Sequence, residues 1–157
     1  MLINWTKPQD KISKYFTVKD ACHLPSWDVY HVPSEAEQQN ILKQAKILDS
    51  LVDEVGLKII VHCWIRPTSA NCPDNKKYHG QNYNKFVGST ATTSSHIKGI
   101  GTDFHFEGKE TAAECLEMRE KKLLPLLDKY KIRMEKKAGS WIHIDHAPVI
   151  SNRYFPV

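Results

Sequence analysis

The sequence predicts an α+β fold, in which a small and mainly antiparallel sheet is packed by two long helices. Apolar residues recur at three- and four-residue spacing over Glu35–Val55, and a second helical run covers Glu110–Tyr130. Runs rich in β-branched and aromatic residues cover Leu57–Pro67 and Ile100–Phe106, as expected of strands. Two further runs on either side of Gly139 indicate a closing hairpin.

The composition indicates one globular domain over residues 1–157. A chain of 157 residues can bury one hydrophobic core but not two comfortable ones. Its hydrophobic fraction of 41% and charged fraction of 25% are ordinary for a globular protein. The net charge of +4 comes from scattered basic residues, which favours a solvated surface and no nucleic-acid partner.

The chain carries no segment that approaches the roughly 20 apolar residues of a membrane span. The N-terminus also lacks the apolar stretch of a secretory signal. We therefore expect synthesis in the cytoplasm, no membrane insertion, and a monomer. The four cysteines form no Cys-x-x-Cys pair, so free and partly buried thiols are expected.

Capping signals mark where the first two helices begin. Thr17 and Asp20 form a capping-box pattern at the start of a short helix, which a proline then ends. Ser34 and Glu37 repeat the pattern before the long amphipathic helix. Gly56 is placed to end that helix.

A long polar loop, Thr68–Thr93, separates the first strand from the second, and loops of this length are usually functional or disordered. In the second strand the chain alternates between two faces. One face is predicted to carry Asp103, His105 and Glu107, and the other Phe104 and Phe106. A kink is expected in the second long helix before Pro125, because proline lacks the N–H group that a helix needs.

The segment SSHIKGIGTDFHF carries the strongest chemical pattern. His96 and Asp103 lie seven positions apart, and imidazole and carboxylate are usual ligands of a zinc ion. Gly99 and Gly101 allow the backbone to bend tightly between them. The later segment SWIHIDH adds His143 as the natural third ligand. Three protein ligands with one open position are typical of a catalytic zinc site.

Two further motifs accompany these residues: YFTVKDACHLPSW, with an acidic residue before a short helix, and VHCWIRPTSAN, a strand that ends at an arginine. Together with Ser-Ser-His, the Gly-to-Asp103 spacing and Trp141-x-His143, they resemble the zinc D-Ala-D-Ala carboxypeptidase family of peptidoglycan peptidases, in its phage-type branch. That family belongs with lysostaphin-type enzymes and the hedgehog signalling domain in one superfamily. The match runs from about Tyr15 to Pro148, nearly the whole chain.

The resemblance implies a role for each matching position. His96, Asp103 and His143 would bind zinc, which is the expected cofactor. Arg66 would face the substrate carboxylate or the developing oxyanion, a task suited to a planar and permanently charged guanidinium. The residues expected beside the substrate are Ser94, Ser95 and Trp141.

The chain departs from the family at Ser140. Many relatives carry an acidic general base three residues before the last ligand, and a serine hydroxyl at its normal pKa cannot take that proton. Asp145 is the first candidate base, since it would share a strand face with His143, about 7 Å along the strand. It could equally accept a hydrogen bond that orients a ligand imidazole. Glu135 and His105 are the next candidates.

These features lead to the expectation of a zinc-dependent peptidase that cuts peptide stems of bacterial peptidoglycan. It would act as a D-Ala-type carboxypeptidase or an endopeptidase, as phage endolysins do, on the cell wall after release or as a virion component. Ser140 favours an alternative, a non-catalytic zinc-containing module that binds the wall or builds the virion. A peptidase for some other peptide is a third possibility.

Overall fold

A computed structural model describes residues 2–25, 28–66, 94–137 and 139–156. The predicted loop over 68–93, which includes Cys72, lies outside the described residues. The elements in chain order are α1 (Val18–Cys22), β1 (His23–Leu24), β2 (Val29–Tyr30), α2 (Glu35–Val55), β3 (Ile59–Cys63), β4 (Gly101–Phe106), α3 (Ala112–Glu117), α4 (Leu127–Tyr130), β5 (Arg133–Glu135), β6 (Ile142–Asp145) and β7 (Tyr154–Phe155).

The main sheet has the strand order β3-β4-β6-β5-β7 within the described residues. Its first three pairings are antiparallel, and the last, between β5 and β7, is parallel. The predicted α+β class is therefore confirmed, but the sheet is mixed because the unforeseen strand β7 pairs in parallel. β1 and β2 form a separate two-stranded antiparallel pair.

Helix α2 is the one long helix in the part of the chain that the structure describes, and it follows the prediction closely. Both of its ends are formed by local hydrogen bonds: Ser34 and Glu37 make a reciprocal capping box, and Gly56 adopts a left-handed conformation at the C-terminus. The short helix α1 has the predicted capping box of Thr17 and Asp20. The buried stripe of α2 consists of Ile41, Gln44, Ala45, Leu48, Leu51 and Val52.

The prediction of a second long α-helix over 110–130 is wrong. Thr111 caps α3 as expected, but α3 ends at Glu117 and the chain continues as a π-helix over Met118–Leu123. A 3-10 turn over Leu124–Leu126 follows, and a last α-helical turn, α4, completes the segment. Pro125 lies in the 3-10 turn, where its ring removes a backbone donor and disfavours a continuous α-helix.

The sheet has one face in the core and one that carries polar side chains. Phe104 and Phe106 of β4 are fully buried on the core side, as predicted, and Asp103 and His105 lie on the other. Gln44 of α2 ties the helix to the core face through a 3.2 Å hydrogen bond to Thr102 Oγ1. None of the described helices is long and apolar enough to cross a membrane.

Candidate metal centre

A row of reactive side chains crosses four strands on the polar face of the sheet. The strand register sets Cys63 of β3 beside Asp103 of β4, and Asp103 beside His143 of β6. β5 pairs Met134 with Ile144, so the next position along sets Glu135 beside His143. Residues directly opposite each other on paired strands share a face. The four side chains therefore lie in one line across the sheet.

His96 reaches this row from a 3-10 turn over Ser95–Lys98, which precedes β4. Its Nε2 lies 3.2 Å from Asp103 Oδ2, and its Nδ1 lies 2.8 Å from the carbonyl oxygen of Trp64. A carbonyl can only accept, so Nδ1 carries the proton. The neutral ring would therefore offer the lone pair of Nε2 to an ion, and this nitrogen faces the carboxylate.

His143 is held in the complementary way. Its Nδ1 lies 2.7 Å from Asp103 Oδ1. Its Nε2 lies 3.3 Å from Ser95 Oγ and 3.6 Å from Asp145 Oδ2. Both imidazoles thus turn one nitrogen toward Asp103 and keep the other on a partner behind the ring. This is how metal-binding histidines are usually oriented.

The predicted ligands His96, Asp103 and His143 are therefore brought together by the fold. Cys63, His96 and Asp103 offer ligand atoms that all lie within 4.8 Å of one another, so this group could hold a metal ion. His143 lies outside this group, and its Nδ1 contacts the second oxygen of the same carboxylate. Imidazole, carboxylate and thiolate are the donors that a divalent transition metal prefers.

The charges of the site are strongly coupled. Burial lowers the pKa of His96, but the Asp103 carboxylate and the Cys63 thiol raise it more, to about 10. Burial raises the pKa of Asp103, but the two histidines hold it well below the ordinary range. Asp103 is therefore ionised at any physiological pH. A cation at His96 Nε2 would lower the pKa of that ring, because ligation requires the neutral form.

Cys63 is buried and free, as expected of the cysteines. However, its Sγ lies 3.7 Å from His96 Nδ1. Burial raises the pKa of the thiol, but His96 and Arg66 hold it below its ordinary value. In the sequence, the closeness of Cys63 to the site is indicated only by its position three residues before Arg66 in the first predicted strand.

Asp145 has a side chain that is 2% exposed, and Arg133 holds it with two hydrogen bonds of 2.8 and 2.7 Å. Burial raises the pKa of Asp145, but hydrogen bonds to His143 and Arg133 lower it by more, and the net shift is downward. The group is therefore a poor proton acceptor at neutral pH. Of the two roles left open for Asp145, these contacts favour the one that orients His143. Phe155 of β7 backs this pair, with its ring 4.9 Å from the Arg133 guanidinium.

Glu135 has the properties that Asp145 lacks. It is half-buried and accepts no hydrogen bond from the described residues. Burial raises its pKa, while His143 lowers and Asp103 raises it, and the net shift is upward. A carboxylate with a raised pKa beside the candidate ligands is better suited to accept a proton at neutral pH.

The remaining predicted residues lie around this centre. Arg66 was predicted at the end of the first strand, but β3 ends three residues before it. The Nη2 atom of Arg66 lies 3.7 Å from Asp103 Oδ2. Its backbone N–H donates to the His96 carbonyl. Ser94 is buried and caps the turn that carries His96. Trp141 is 39% exposed at the start of β6.

The glycine at 101 is required by the packing of the site. A Cβ atom at this position would overlap Ser95 Oγ and lie 3.0 Å from His143 Cε1. We expect Gly101→Ala to displace both side chains and weaken zinc binding by about tenfold or more. Calorimetric titration with zinc would measure this, with Gly108→Ala as a control. Gly108, unlike Gly101, has a positive φ, and no atom lies near its Cβ position. Equal affinity in the two variants would contradict the packing argument.

The ion pair of Asp145 and Arg133 makes a separate prediction about stability. Asp145→Asn leaves Arg133 unpaired, and we expect a loss of about 3 kcal/mol in the free energy of unfolding at neutral pH. The folded-state pKa of Asp145 is depressed, so its contribution is present above about pH 3.9 and is lost as the pH falls further. Urea unfolding would measure the difference in the free energy of unfolding between the wild type and Asp145→Asn. This difference should be smaller in acid than at pH 7.

Asp128→Asn is the matched control for this experiment. Asp128 also pairs with an arginine, Arg153, at 2.6 Å, but its side chain is 93% exposed. Exposed ion pairs contribute less than about 1 kcal/mol. A loss in Asp145→Asn no larger than in Asp128→Asn would show that burial does not strengthen the Asp145 pair.

Comparison of the chain with protein-family models, with curated proteins and with solved structures gave no match. The fold and its side chains define a class of site. In this site a largely buried carboxylate lies between two imidazoles, with a thiol, a guanidinium and a second carboxylate around it.

Proposed function

We propose that the chain is a zinc-dependent peptidase that hydrolyses peptide stems of bacterial peptidoglycan. One observation carries the proposal. His96 and His143 turn opposite-side nitrogens toward the two oxygens of Asp103, at 3.2 and 2.7 Å, while Arg66 approaches the same carboxylate. This arrangement matches the ligand set and the arginine that the family resemblance implies, and it comes from separate segments of the chain.

The donor set favours zinc. Two neutral imidazoles and one carboxylate form a three-ligand set that leaves a position for water or substrate. When bound, zinc lowers the pKa of its water to about 7 and polarises a carbonyl oxygen. His96, Asp103 and His143 would hold the ion, and Trp64, Ser95 and Asp145 would keep the two rings in orientation.

Arg66 and Glu135 would supply the remaining chemistry. In hydrolysis, a water oxygen adds to the scissile carbonyl carbon and the bond from carbon to nitrogen breaks. The Arg66 guanidinium would donate hydrogen bonds to the carbonyl oxygen as negative charge develops there. Glu135 would accept the proton of the attacking water and deliver it to the leaving amine. The raised pKa of Glu135 suits both transfers.

The substrate class rests on the resemblance of the Ser-Ser-His, Trp-x-His and arginine motifs to peptidoglycan peptidases. Arg66 supports it, because a guanidinium at the site can bind the carboxylate of a peptide stem in a bidentate manner. A carboxypeptidase would use that contact with the terminal carboxylate, and an endopeptidase would use it with the carbonyl at the cleaved bond. The two activities release different fragments.

A second function is favoured by Cys63. If the thiolate joined His96, Asp103 and His143, the ion would have four protein ligands, the arrangement of a structural site. The chain would then be the non-catalytic zinc-containing module, with a role in wall binding or virion structure. Cys63→Ala separates the two functions. A structural site loses its zinc in this variant, and the proposed peptidase site keeps it.

The test is to incubate the purified protein, loaded with zinc, with purified peptidoglycan and to analyse the released fragments by mass spectrometry. We expect cleavage within or at the end of the stem peptide, with about one zinc ion per chain at the His96–Asp103–His143 site. Tight zinc binding without released fragments would favour the non-catalytic module. Absence of zinc binding would overturn both functions.

A further inference from the structure

A second pair of imidazoles lies on the polar face of the sheet, apart from the centre described above. His105 follows Asp103 by two positions on β4, which sets it about 7 Å along the strand. His62 comes from the neighbouring strand β3. The proposed peptidase chemistry uses neither residue.

A β-bulge brings His62 to this position. β3 and β4 pair Val61 with Phe104 and then Cys63 with Asp103, so His62 is the extra residue of β3. A bulge re-aims a side chain that regular pairing would direct elsewhere. Its effect here is to place the His62 ring beside that of His105, with the two ring centres 4.7 Å apart.

The two rings turn nitrogen atoms toward each other. His62 Nε2 lies 2.5 Å from His105 Nδ1, and the ring planes are nearly perpendicular, at 83°. A hydrogen bond of ordinary length between such atoms would measure about 2.9 Å. At this distance one ring donates a hydrogen bond to the other, so the two nitrogens face each other directly. An ion that replaced the shared proton could accept a lone pair from each ring.

The outer nitrogen of His105 has a partner of its own. Its Nε2 lies 3.7 Å from Glu110 Oε1. The chain returns to β4 for this contact through a turn at Gly108, where φ is positive and Lys109 N–H donates to the Phe106 carbonyl. At this distance the carboxylate makes an ion-pair contact and no hydrogen bond, and its negative charge favours the proton on Nε2 over Nδ1. The same type of partner orients the histidines of known metal sites.

We infer that His62 and His105 form a second site for a divalent transition-metal ion such as zinc, copper or nickel, independent of the Asp103 centre. His62 Nε2 and His105 Nδ1 are the ligands, and water completes the coordination. In a tetrahedral zinc complex with bonds of about 2.0 Å, two nitrogens lie about 3.3 Å apart. The rings therefore need to separate by less than about 1 Å. His62 is exposed, so it is free to make that adjustment.

The test is equilibrium dialysis of the folded protein against a series of free zinc concentrations, with bound zinc counted by mass spectrometry. We expect His62→Ala to bind one zinc ion fewer than the wild type, with affinity at the remaining site unchanged. The readout is this difference and not the total. It therefore does not depend on whether the Asp103 centre holds zinc, and failure of the proposed peptidase would leave it intact.

His23→Ala is the control, because His23 Nε2 also contacts a carboxylate, Asp28 at 2.9 Å, but the ring stacks on Tyr30 and not on a second histidine. It should keep the full number of ions. Equal zinc uptake by His62→Ala and the wild type would overturn the inference. A similar loss in His23→Ala would also overturn it, since it would show that zinc binds to exposed histidines in general.

A second measurement locates the ion. In nitrogen-15 spectra of the histidine side chains, the zinc ion that His62→Ala fails to bind should shift the signals of His62 Nε2 and His105 Nδ1. The signals of His23 should stay unchanged. Shifts confined to other histidines would contradict the assignment even where the count agrees.

Discussion

Glu135→Gln is expected to reduce peptide hydrolysis by about 10²- to 10⁴-fold while zinc binding stays unchanged, because a positioned general base contributes a factor of this size. The glutamine keeps the shape of the side chain and removes its ability to accept a proton. Glu135 makes no hydrogen bond to the described residues, so the substitution breaks no structural contact among them. The rate of fragment release and the zinc content of the same preparation would be measured together.

Glu107→Gln is the matched control for that variant. Glu107 follows β4 and is 63% exposed, and its nearest cation, Lys58, lies 4.0 Å away. It should retain the wild-type rate. A wild-type rate in Glu135→Gln would exclude Glu135 as the base. Loss of zinc in the same variant would instead make Glu135 part of the metal centre.

The pH dependence gives a further readout for Glu135. Because burial raises its pKa, the limb of the rate profile that reports the base should lie above the ordinary glutamate value of about 4.3. Asp145 would place that limb lower, since His143 and Arg133 depress its pKa. The acidic limb of the rate profile therefore discriminates between the two carboxylates.

The clustering of the candidate ligands could be predicted from the sequence because their spacing reflects local geometry. Alternation along β4 places Asp103 on the face opposite Phe104, and alternation along β6 does the same for His143 and Ile144. Gly99 adopts the left-handed conformation that lets the chain bend between His96 and Asp103. Each of these features depends on neighbours within a few residues.

The position of Glu135 beside His143 could not be predicted in the same way, because it depends on register. The chain between Glu135 and His143 does not show by itself which residues of the hairpin face each other. The observed pairing of Arg133 with Asp145 fixes it, and this pairing also supplies the partner that neutralises Asp145. The sequence could therefore place Asp145 on the correct face and still leave its role open.

The second helix shows a different limit. Its polar and apolar residues fit a helical period, and one proline marked a kink. The extent of the π-helix over 118–123 depends on tertiary contacts. Arg119 lies in this segment, is 3% exposed, and donates a 2.8 Å hydrogen bond to the Trp141 carbonyl at the entrance of β6. That contact joins residues distant in sequence, so no local pattern could indicate it.

Asp103→Asn is expected to lower zinc affinity by at least about a hundredfold, more than the loss of an outer partner, because it removes the anion between His96 and His143. Zinc that binds the folded state raises its melting temperature. In the wild type we therefore expect a clear upward shift on zinc addition, reversed by a chelator. In Asp103→Asn the shift from this site should disappear. Calorimetric scans with and without zinc would measure it, with His62→Ala present in both proteins so that the second inferred site adds no shift.

The control is Asp53→Asn, in which the altered carboxylate is exposed and contacts Lys14 and Tyr15, far from the candidate ligands in sequence. It should keep the zinc-dependent shift. Comparing each variant with and without zinc removes any effect that the substitution has on the metal-free fold. A zinc-dependent shift that survives in Asp103→Asn in this His62→Ala background would show that the ion is not held by this carboxylate. The His96 and His143 orientations would then need another explanation.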